Sequence, residues 1–197
     1  MSNEVDTRRL PELERIVALA LDEARRQGAT QAEASVGLQQ GLSVTVRLGE
    51  VDTIEYHRDR GLAVTVYVGQ RKGSASTGDL RSEAVIESVG KACSIARYTA
   101  EDPCAGLADP HRLAREFPDL DIDHPWTIEA DEAVERAREC EAAGRAVDAR
   151  INNSEGASLS THRALRVYGN THGFLAGFPS TSHSLSCALV AESDGQM

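Results

Sequence analysis

The sequence lacks the patterns that would assign it to a membrane or nucleic-acid-binding class. No apolar run approaches the roughly 20 residues that a helix needs to cross a bilayer. Lys and Arg are scattered among acidic residues, and the 197-residue chain carries a formal net charge of −10. Since phosphate binding depends on clustered basic residues, nonspecific nucleic-acid binding is excluded as a main role. Residues 1–6 are polar and acidic, so we expect no secretory signal and a cytoplasmic protein.

The cysteines are few and form no recognisable motif. Cys93, Cys104, Cys140 and Cys187 lie far apart and include no C-x-x-C pair. This spacing excludes a zinc ribbon and a thioredoxin-type redox site. In a protein that is not exported, we expect all four to be reduced thiols.

The usual zinc-hydrolase motif is also missing. Such an enzyme needs imidazole ligands on a rigid element and a carboxylate that activates the bound water. None of the six histidines is followed by Glu, and no predicted helix carries two of them. The glycine-x-serine-x-glycine motif, which would indicate a serine nucleophile, is also absent. We therefore predict no catalytic residue and no metal ligand in this chain.

The first hundred residues predict one α+β domain. Apolar residues at helical spacing predict a helix from Leu10 to Gln27, which Thr7 or Pro11 can open. A second helix is predicted from Ser82, as N-cap, to about Tyr98. Between them, alternating apolar and polar residues predict four or five short antiparallel strands, with a turn at Leu48–Gly49 and another at Asp59–Gly61. We expect two helices on one face of this sheet.

A connector and a second unit follow. Residues 101–126 are rich in Pro and Asp, which argues against continuous helix or strand. Residues 127–197 predict a helix from Thr127 to about Asp148 and then an antiparallel meander with turns at Gly169–Asn170 and Pro179–Thr181. A hairpin signal at Ser193–Gly195 has no returning strand. We thus expect domains at 1–100 and 127–197, the second of them incomplete.

The segment from Lys72 to Leu80 is too small and polar for a core strand. Gly73 and Gly78 have the spacing of a phosphate-binding loop, but Asp79 stands where a lysine is required, so that interpretation fails. We predict instead an edge strand of small residues, whose backbone could pair with an extended peptide. A strand paired only within its own sheet is the alternative.

Two weaker metal-binding hypotheses remain open. His162, His172 and His183 recur about once per predicted strand, and neighbouring strands could gather them. Asp119, Asp121, Asp123 and His124 could bind a hard cation, although they lack the glycine and terminal glutamate of an EF-hand. Solvated strand ends and a solvated linker are the simpler interpretations.

Four stretches carry a family resemblance: Arg71–Leu80, Ala96–Gly106, Asn153–Gly156 and Tyr168–Gly173. Together they closely resemble the TldD/PmbA family, and within it the PmbA (TldE) branch. The match covers essentially the whole chain. The resemblance implies the N-terminal portion of a longer subunit from a cytoplasmic metalloprotease complex that degrades or matures small unfolded peptides. It places the zinc in a TldD-type partner subunit and implies no cofactor in this chain.

The resemblance also suggests how this portion is used. Its sheet edge and the 99–126 arm would shape the interface with a TldD-like subunit, or with a second copy, and the cavity that holds the peptide. The residues expected to contact peptide or partner are Lys72, Gly73, Ser74, Ser76, Thr77, Asp102, Pro103 and Cys104. The competing hypothesis is a non-enzymatic assembly or peptide-binding module. A third is an independent metal hydrolase that uses the strand histidines.

Overall fold

A single five-stranded sheet dominates the computed structural model, which describes residues 5–193. Its helices and strands, in chain order, are α1 (Leu10–Arg26), β1 (Gln31–Arg47), β2 (Glu50–Val68), β3 (Arg71–Thr77), α2 (Ser82–Tyr98), α3 (Ala130–Arg145), β4 (Ile151–Asn170) and β5 (Leu175–Ala191). Short 3-10 turns lie at Thr7–Arg9 and Pro110–Arg112. The strand order is β3-β2-β1-β4-β5. The predicted α+β class with an antiparallel sheet is confirmed.

The strands are fewer and longer than the sequence predicts. The turn expected at Asp59–Gly61 lies inside β2, and the one expected at Pro179–Thr181 lies inside β5. Both predictions were wrong for a physical reason. Glycine in a strand can mark close packing rather than a turn, and proline is tolerated on an edge strand such as β5, where its missing N–H faces away from the ladder.

The turns that do form have the expected backbone chemistry. Leu48 and Gly49 link β1 to β2 with φ values of 53° and 82°, the pattern of a type I′ hairpin turn. Gly69, between β2 and β3, has φ of 60°. β3 then pairs antiparallel with β2, with Leu62 opposite Thr77 and Val68 opposite Arg71.

The helices agree with their predicted positions, except at some ends. α2 begins at Ser82, but its N-cap is Arg81, which forms no side-chain cap hydrogen bond. Ser82 is therefore not the cap. α3 begins after an extended Glu129 rather than at Thr127, and it ends at Arg145 rather than Asp148. No helix among residues 5–193 is long and apolar enough to span a membrane.

Two compact units divide the chain, and they are interleaved along it. The first comprises residues through Gln39, 59–122 and 164–179, and the second comprises 40–58, 123–163 and the residues from Ser180 onward. The units are discontinuous in sequence because β1, β2, β4 and β5 each contain residues of both. The division into domains 1–100 and 127–197 stays a prediction. The predicted Ser193–Gly195 hairpin extends beyond the described residues.

Each unit has a hydrophobic core of its own. In the first, α1 and α2 pack on the sheet through buried side chains that include Leu13, Val17, Val36, Val64, Val89 and Leu165. In the second, α3 packs on the sheet through Val44, Val46, Val134, Ala137 and Leu159. The two helices predicted to share one sheet face thus belong to the same core.

Candidate functional site

β3 lies at one edge of the sheet, as the sequence predicts for this small, polar segment. Its side chains alternate: Lys72, Ser74 and Ser76 are exposed, Gly73 is buried and Thr77 is partly buried. The hydroxyl oxygens of Ser74 and Thr65 on β2 are 3.0 Å apart. Within residues 5–193, the outer side of β3 therefore pairs with no further strand.

Gly73 allows close packing of α2 against this edge of the sheet. A Cβ at this position would overlap the carbonyl oxygen of Ala92 and the amide nitrogen of Ala96 in α2. The missing side chain thus lets the helix backbone approach the strand directly. Of the residues predicted to contact a peptide, Gly73 has this structural role.

The Asp102–Cys104 loop is exposed, and two hydrogen bonds hold it in place. The Asp102 amide donates to the Gln70 carbonyl at 2.9 Å, and the Asp102 carboxylate accepts from the Cys104 amide at 2.9 Å. Pro103 and the Cys104 thiol face solvent. This loop therefore starts beside the turn that leads into β3, so the two predicted contact segments belong to the same unit.

Sequence reasoning missed a polar cluster on the sheet face opposite α1 and α2. Glu33 on β1 accepts hydrogen bonds from the Tyr67 hydroxyl on β2 at 3.2 Å and the Tyr168 hydroxyl on β4 at 2.8 Å. Its neighbours Ala32 and Ala34 are buried in the first core, so Glu33 points to the other face. One carboxylate thus joins three adjacent strands.

The environment of this cluster shifts the ionisation of both phenols. Burial first, and then the charge and hydrogen bond of Glu33, raise the pKa of Tyr67 to about 12. Burial likewise raises the pKa of Tyr168, with the Glu33 hydrogen bond adding to it and the Asn170 hydrogen bond opposing it. Both phenols are therefore neutral hydrogen-bond donors at physiological pH.

The second unit contains a cavity of about 270 Å³. Its wall combines aromatic, apolar and basic side chains, chiefly Tyr56, Arg58, Trp126, Ile128, Arg163 and His183. The Trp126 and His183 rings meet edge to face, with centroids 5.6 Å apart. The sequence signal for this site was weak, because its residues come from five separate segments of the chain.

Hydrogen bonds fix the side chains behind this wall. His183 Nε2 lies 3.0 Å from the His124 carbonyl oxygen, and its Nδ1 lies 2.9 Å from the Thr161 hydroxyl. A carbonyl can only accept, so Nε2 carries the proton and the ring is in one tautomer. Arg163 forms a bidentate pair with Asp123, at 3.0 and 2.7 Å.

A stacked histidine pair lies in the second unit. The His57 and His162 rings face each other on β2 and β4, and the strand between them, β1, presents Gly41. A Cβ on Gly41 would overlap His162 Nδ1 and the Thr161 carbonyl oxygen. His57 Nε2 and His162 Nδ1 are buried without a hydrogen-bond partner. Glycine at position 41 is thus required by the ring packing.

The structure does not gather the residues of either metal hypothesis. His172, in the first unit, contacts the Ala108 carbonyl oxygen at 3.1 Å, whereas His162 and His183 belong to the second. Asp119 accepts from the Asp121 amide, and Asp123 pairs with Arg163. Within residues 5–193, no group of three His, Cys, Asp or Glu side chains is arranged to hold a metal ion. All four cysteines are free thiols.

Comparison with known families identifies the chain. A model of the PmbA/TldA metallopeptidase domain 1 matches residues 32–96, and a model of the central domain of the same family matches residues 123–197. The chain belongs to the TldD/PmbA family and is of the PmbA type. The resemblance noted from its sequence motifs is therefore confirmed.

Curated relatives support this membership over nearly the whole chain. Metalloprotease PmbA of Escherichia coli O157:H7 is 46% identical over 94% of the chain. A PmbA homolog of Haemophilus influenzae is 43% identical over 91% of it. The chain spans 41% and 40% of the lengths of these two relatives.

Solved structures share the fold at lower identity. A Bacteroides thetaiotaomicron protein described as a candidate modulator of DNA gyrase has a TM-score of 0.83 at 24% identity, over 94% of this chain and 43% of its own. TldE of Thermococcus kodakarensis has a TM-score of 0.72 at 15% identity, over 91% of this chain and 40% of its own. The family fold thus extends across the described residues.

Proposed function

We propose that this chain is the N-terminal portion of a PmbA/TldE-type subunit of a TldD–TldE-type metalloprotease complex in the cytoplasm. In this complex it shapes the subunit interface and the cavity for a small unfolded peptide, and the partner subunit supplies the hydrolytic zinc. The observation that carries the proposal is the 46% identity to the Escherichia coli metalloprotease PmbA over 94% of the chain.

The edge strand supports the peptide-holding role. Among residues 5–193, β3 has a partner strand on one side only, and its exposed side chains are the short hydroxyls of Ser74 and Ser76 beside Lys72. Short side chains let another backbone come within hydrogen-bonding distance, and backbone pairing is tolerant of peptide sequence. Both properties suit a protein that receives unfolded peptides of varied sequence.

The ligand chemistry of this portion does not fit a catalytic zinc site. Such a site requires three protein ligands and an open position for water, and the described residues hold no group of three suitable side chains. We therefore assign no step of hydrolysis to these residues. Their contribution is to bind and orient.

The proposal is tested by reconstituting the complex. The full-length subunit that contains this chain is co-purified with a TldD-type partner, and cleavage of an unfolded peptide is followed by mass spectrometry. We expect cleavage with both subunits and zinc present, and none with this subunit alone. Cleavage by this subunit alone, after the partner has been removed, would contradict the proposal.

Variants of β3 test the surface within the same assay. Ser74→Arg combined with Ser76→Arg adds bulk to the exposed face of β3, and we expect slower cleavage or loss of the complex. Ser94→Arg adds the same group on an exposed position of α2 and serves as the matched control. Equal activity of the two variants would exclude β3 from the interface and the peptide path. A non-enzymatic assembly module would bind the partner without altering cleavage.

A further inference from the structure

The cavity of the second unit has one cationic group that is not neutralised. Arg58 is exposed, lines the cavity, and forms no ion pair with any residue that the structure describes. Arg163, by contrast, is held by the Asp123 carboxylate. In a chain of net charge −10, a lone arginine beside a cavity favours an anionic ligand group, and its planar guanidinium suits a carboxylate.

Other parts of the cavity wall are apolar. Trp126 is 40% exposed and Tyr56 is 68% exposed, so both rings offer surface to a ligand. Leu42 and Ile128 form the buried part of this wall. Aromatic surface of this kind binds aliphatic and aromatic side chains, and burial of the ligand is its main source of affinity.

The volume restricts the size of the ligand. Cavities for cofactors and drug-sized molecules commonly measure about 300–1,000 Å³, and this one measures about 270 Å³. The space therefore suits a single amino-acid residue rather than a nucleotide or a larger cofactor. An apolar wall and one cation together fit a residue with an apolar side chain and its own carboxylate.

We propose that this cavity binds the C-terminal residue of a peptide. The apolar side chain lies against Trp126, and the free α-carboxylate pairs with the Arg58 guanidinium. An acidic side chain inside a peptide would pair with Arg58 but would leave the Trp126 ring uncovered. A C-terminal residue with an apolar side chain contacts both, so it matches more of the surface. The inference rests on the proposed function only for the source of the peptide, because binding requires no partner subunit.

The test uses the single tryptophan of the chain. Trp126 fluorescence of the 197-residue chain is titrated with N-acetyl-phenylalanine and with N-acetyl-phenylalanine amide, which differ only in the carboxylate. We expect a saturable change with the acid, and binding weaker by about tenfold or more with the amide, because a charge-assisted hydrogen bond is lost. Equal affinities, or no saturable change with the acid, would overturn the proposal.

Two further sets of titrations locate the carboxylate site. Arg58→Gln should abolish the preference for acid over amide, whereas Arg112→Gln, an exposed arginine outside the cavity lining, should keep it. N-acetyl-glutamate amide should bind more weakly than N-acetyl-phenylalanine, and the reverse order would overturn the proposal. If Arg58→Gln fails to fold, the acid–amide comparison on the unchanged chain still decides. Hydrolysis in the reconstituted complex tests the proposed function separately.

Discussion

The imidazole rings of His57 and His162 stack with their centroids 5.1 Å apart and their planes 15° from parallel. His57 Nε2 and His162 Nδ1 are buried and have no hydrogen-bond partner among the described residues. Burial, and secondarily the neighbouring His57 and His183, lower the pKa of His162. A proton on His162 is therefore disfavoured in the folded state.

We predict that His162 makes the protein less stable in mild acid. The folded pKa of His162 lies below its unfolded value, so the unfolded state binds more protons and stability falls as the pH drops through about 6.5. One such group contributes a slope of at most about 1.4 kcal/mol per pH unit. Urea unfolding of the chain and of His162→Gln, from about pH 8 to about pH 5, measures the difference. His111→Gln, at an exposed position, should leave the slope unchanged, and an unchanged slope in His162→Gln would refute the prediction.

Glu141 should be a strong contributor to the stability of the second unit. It is 1% exposed, and its carboxylate accepts from the Leu48 and Gly49 amides at 2.8 and 2.7 Å. Burial by itself raises the pKa of Glu141, but the hydrogen bonds from Ser154 and from the two amides outweigh it, and the pKa is lowered.

Replacing this carboxylate tests its role. In Glu141→Gln an amide group faces two backbone donors, so one of them loses its acceptor, and we expect a loss of about 1.5–3 kcal/mol in the free energy of unfolding. Glu139→Gln changes an exposed residue of the same helix and should cost almost nothing. Chemical denaturation compares the two, and similar midpoints would show that Glu141 is dispensable.

Gly73 should tolerate no side chain. In Gly73→Ala the new methyl group meets backbone atoms of Ala92 and Ala96, which cannot move without shifting α2, and we expect a loss of about 1–3 kcal/mol. At Gly78 the nearest atom is the Arg60 carbonyl oxygen at 3.6 Å, so Gly78→Ala is the matched control. Thermal unfolding followed by circular dichroism should show the lower midpoint for Gly73→Ala only.

The Tyr67 phenol should lose its proton at a higher pH than an ordinary tyrosine does. Its folded pKa of about 12 exceeds the unfolded value of about 10, so the folded state holds its proton longer and stability falls as the pH rises above about 10. Absorbance of the tyrosinate band should show a late phase, to which Tyr168 also contributes because its pKa is raised as well, and Tyr67→Phe should reduce the amplitude of this phase. Tyr98→Phe, at a site that is 90% exposed, should leave the amplitude unchanged. A late phase of undiminished amplitude in Tyr67→Phe would contradict this assignment.

Local patterns predicted the helices and the family, but not the contacts between strands. The apolar stripe of α1 is visible in the sequence because it repeats within a few residues. Glu33 and Tyr168 are 135 positions apart, and only the strand order and register bring them together. The cavity beside Trp126 likewise forms only when strands that are distant in sequence pair in the correct register. No local sequence pattern therefore predicts it.

The sequence mispredicted strand ends where glycine, which is common in turns, lies inside a strand instead. Gly61 suggested a turn, yet it lies within β2. Gly41 also lies inside a strand, where the His57–His162 ring pair, itself a product of tertiary structure, leaves no room for a side chain. Leu48–Gly49 was predicted correctly, because a two-residue hairpin turn is specified by the residues within it.

The interleaving of the two units determines how the chain can be divided for experiment. A fragment that ends at residue 126 omits Leu165 and Val167, which belong to the first core. A fragment that begins at residue 127 omits Leu42, Val44 and Val46 from the second. Truncation at the connector therefore exposes apolar surface in both pieces, and point substitutions, rather than excised domains, are the appropriate means of assigning roles to either half.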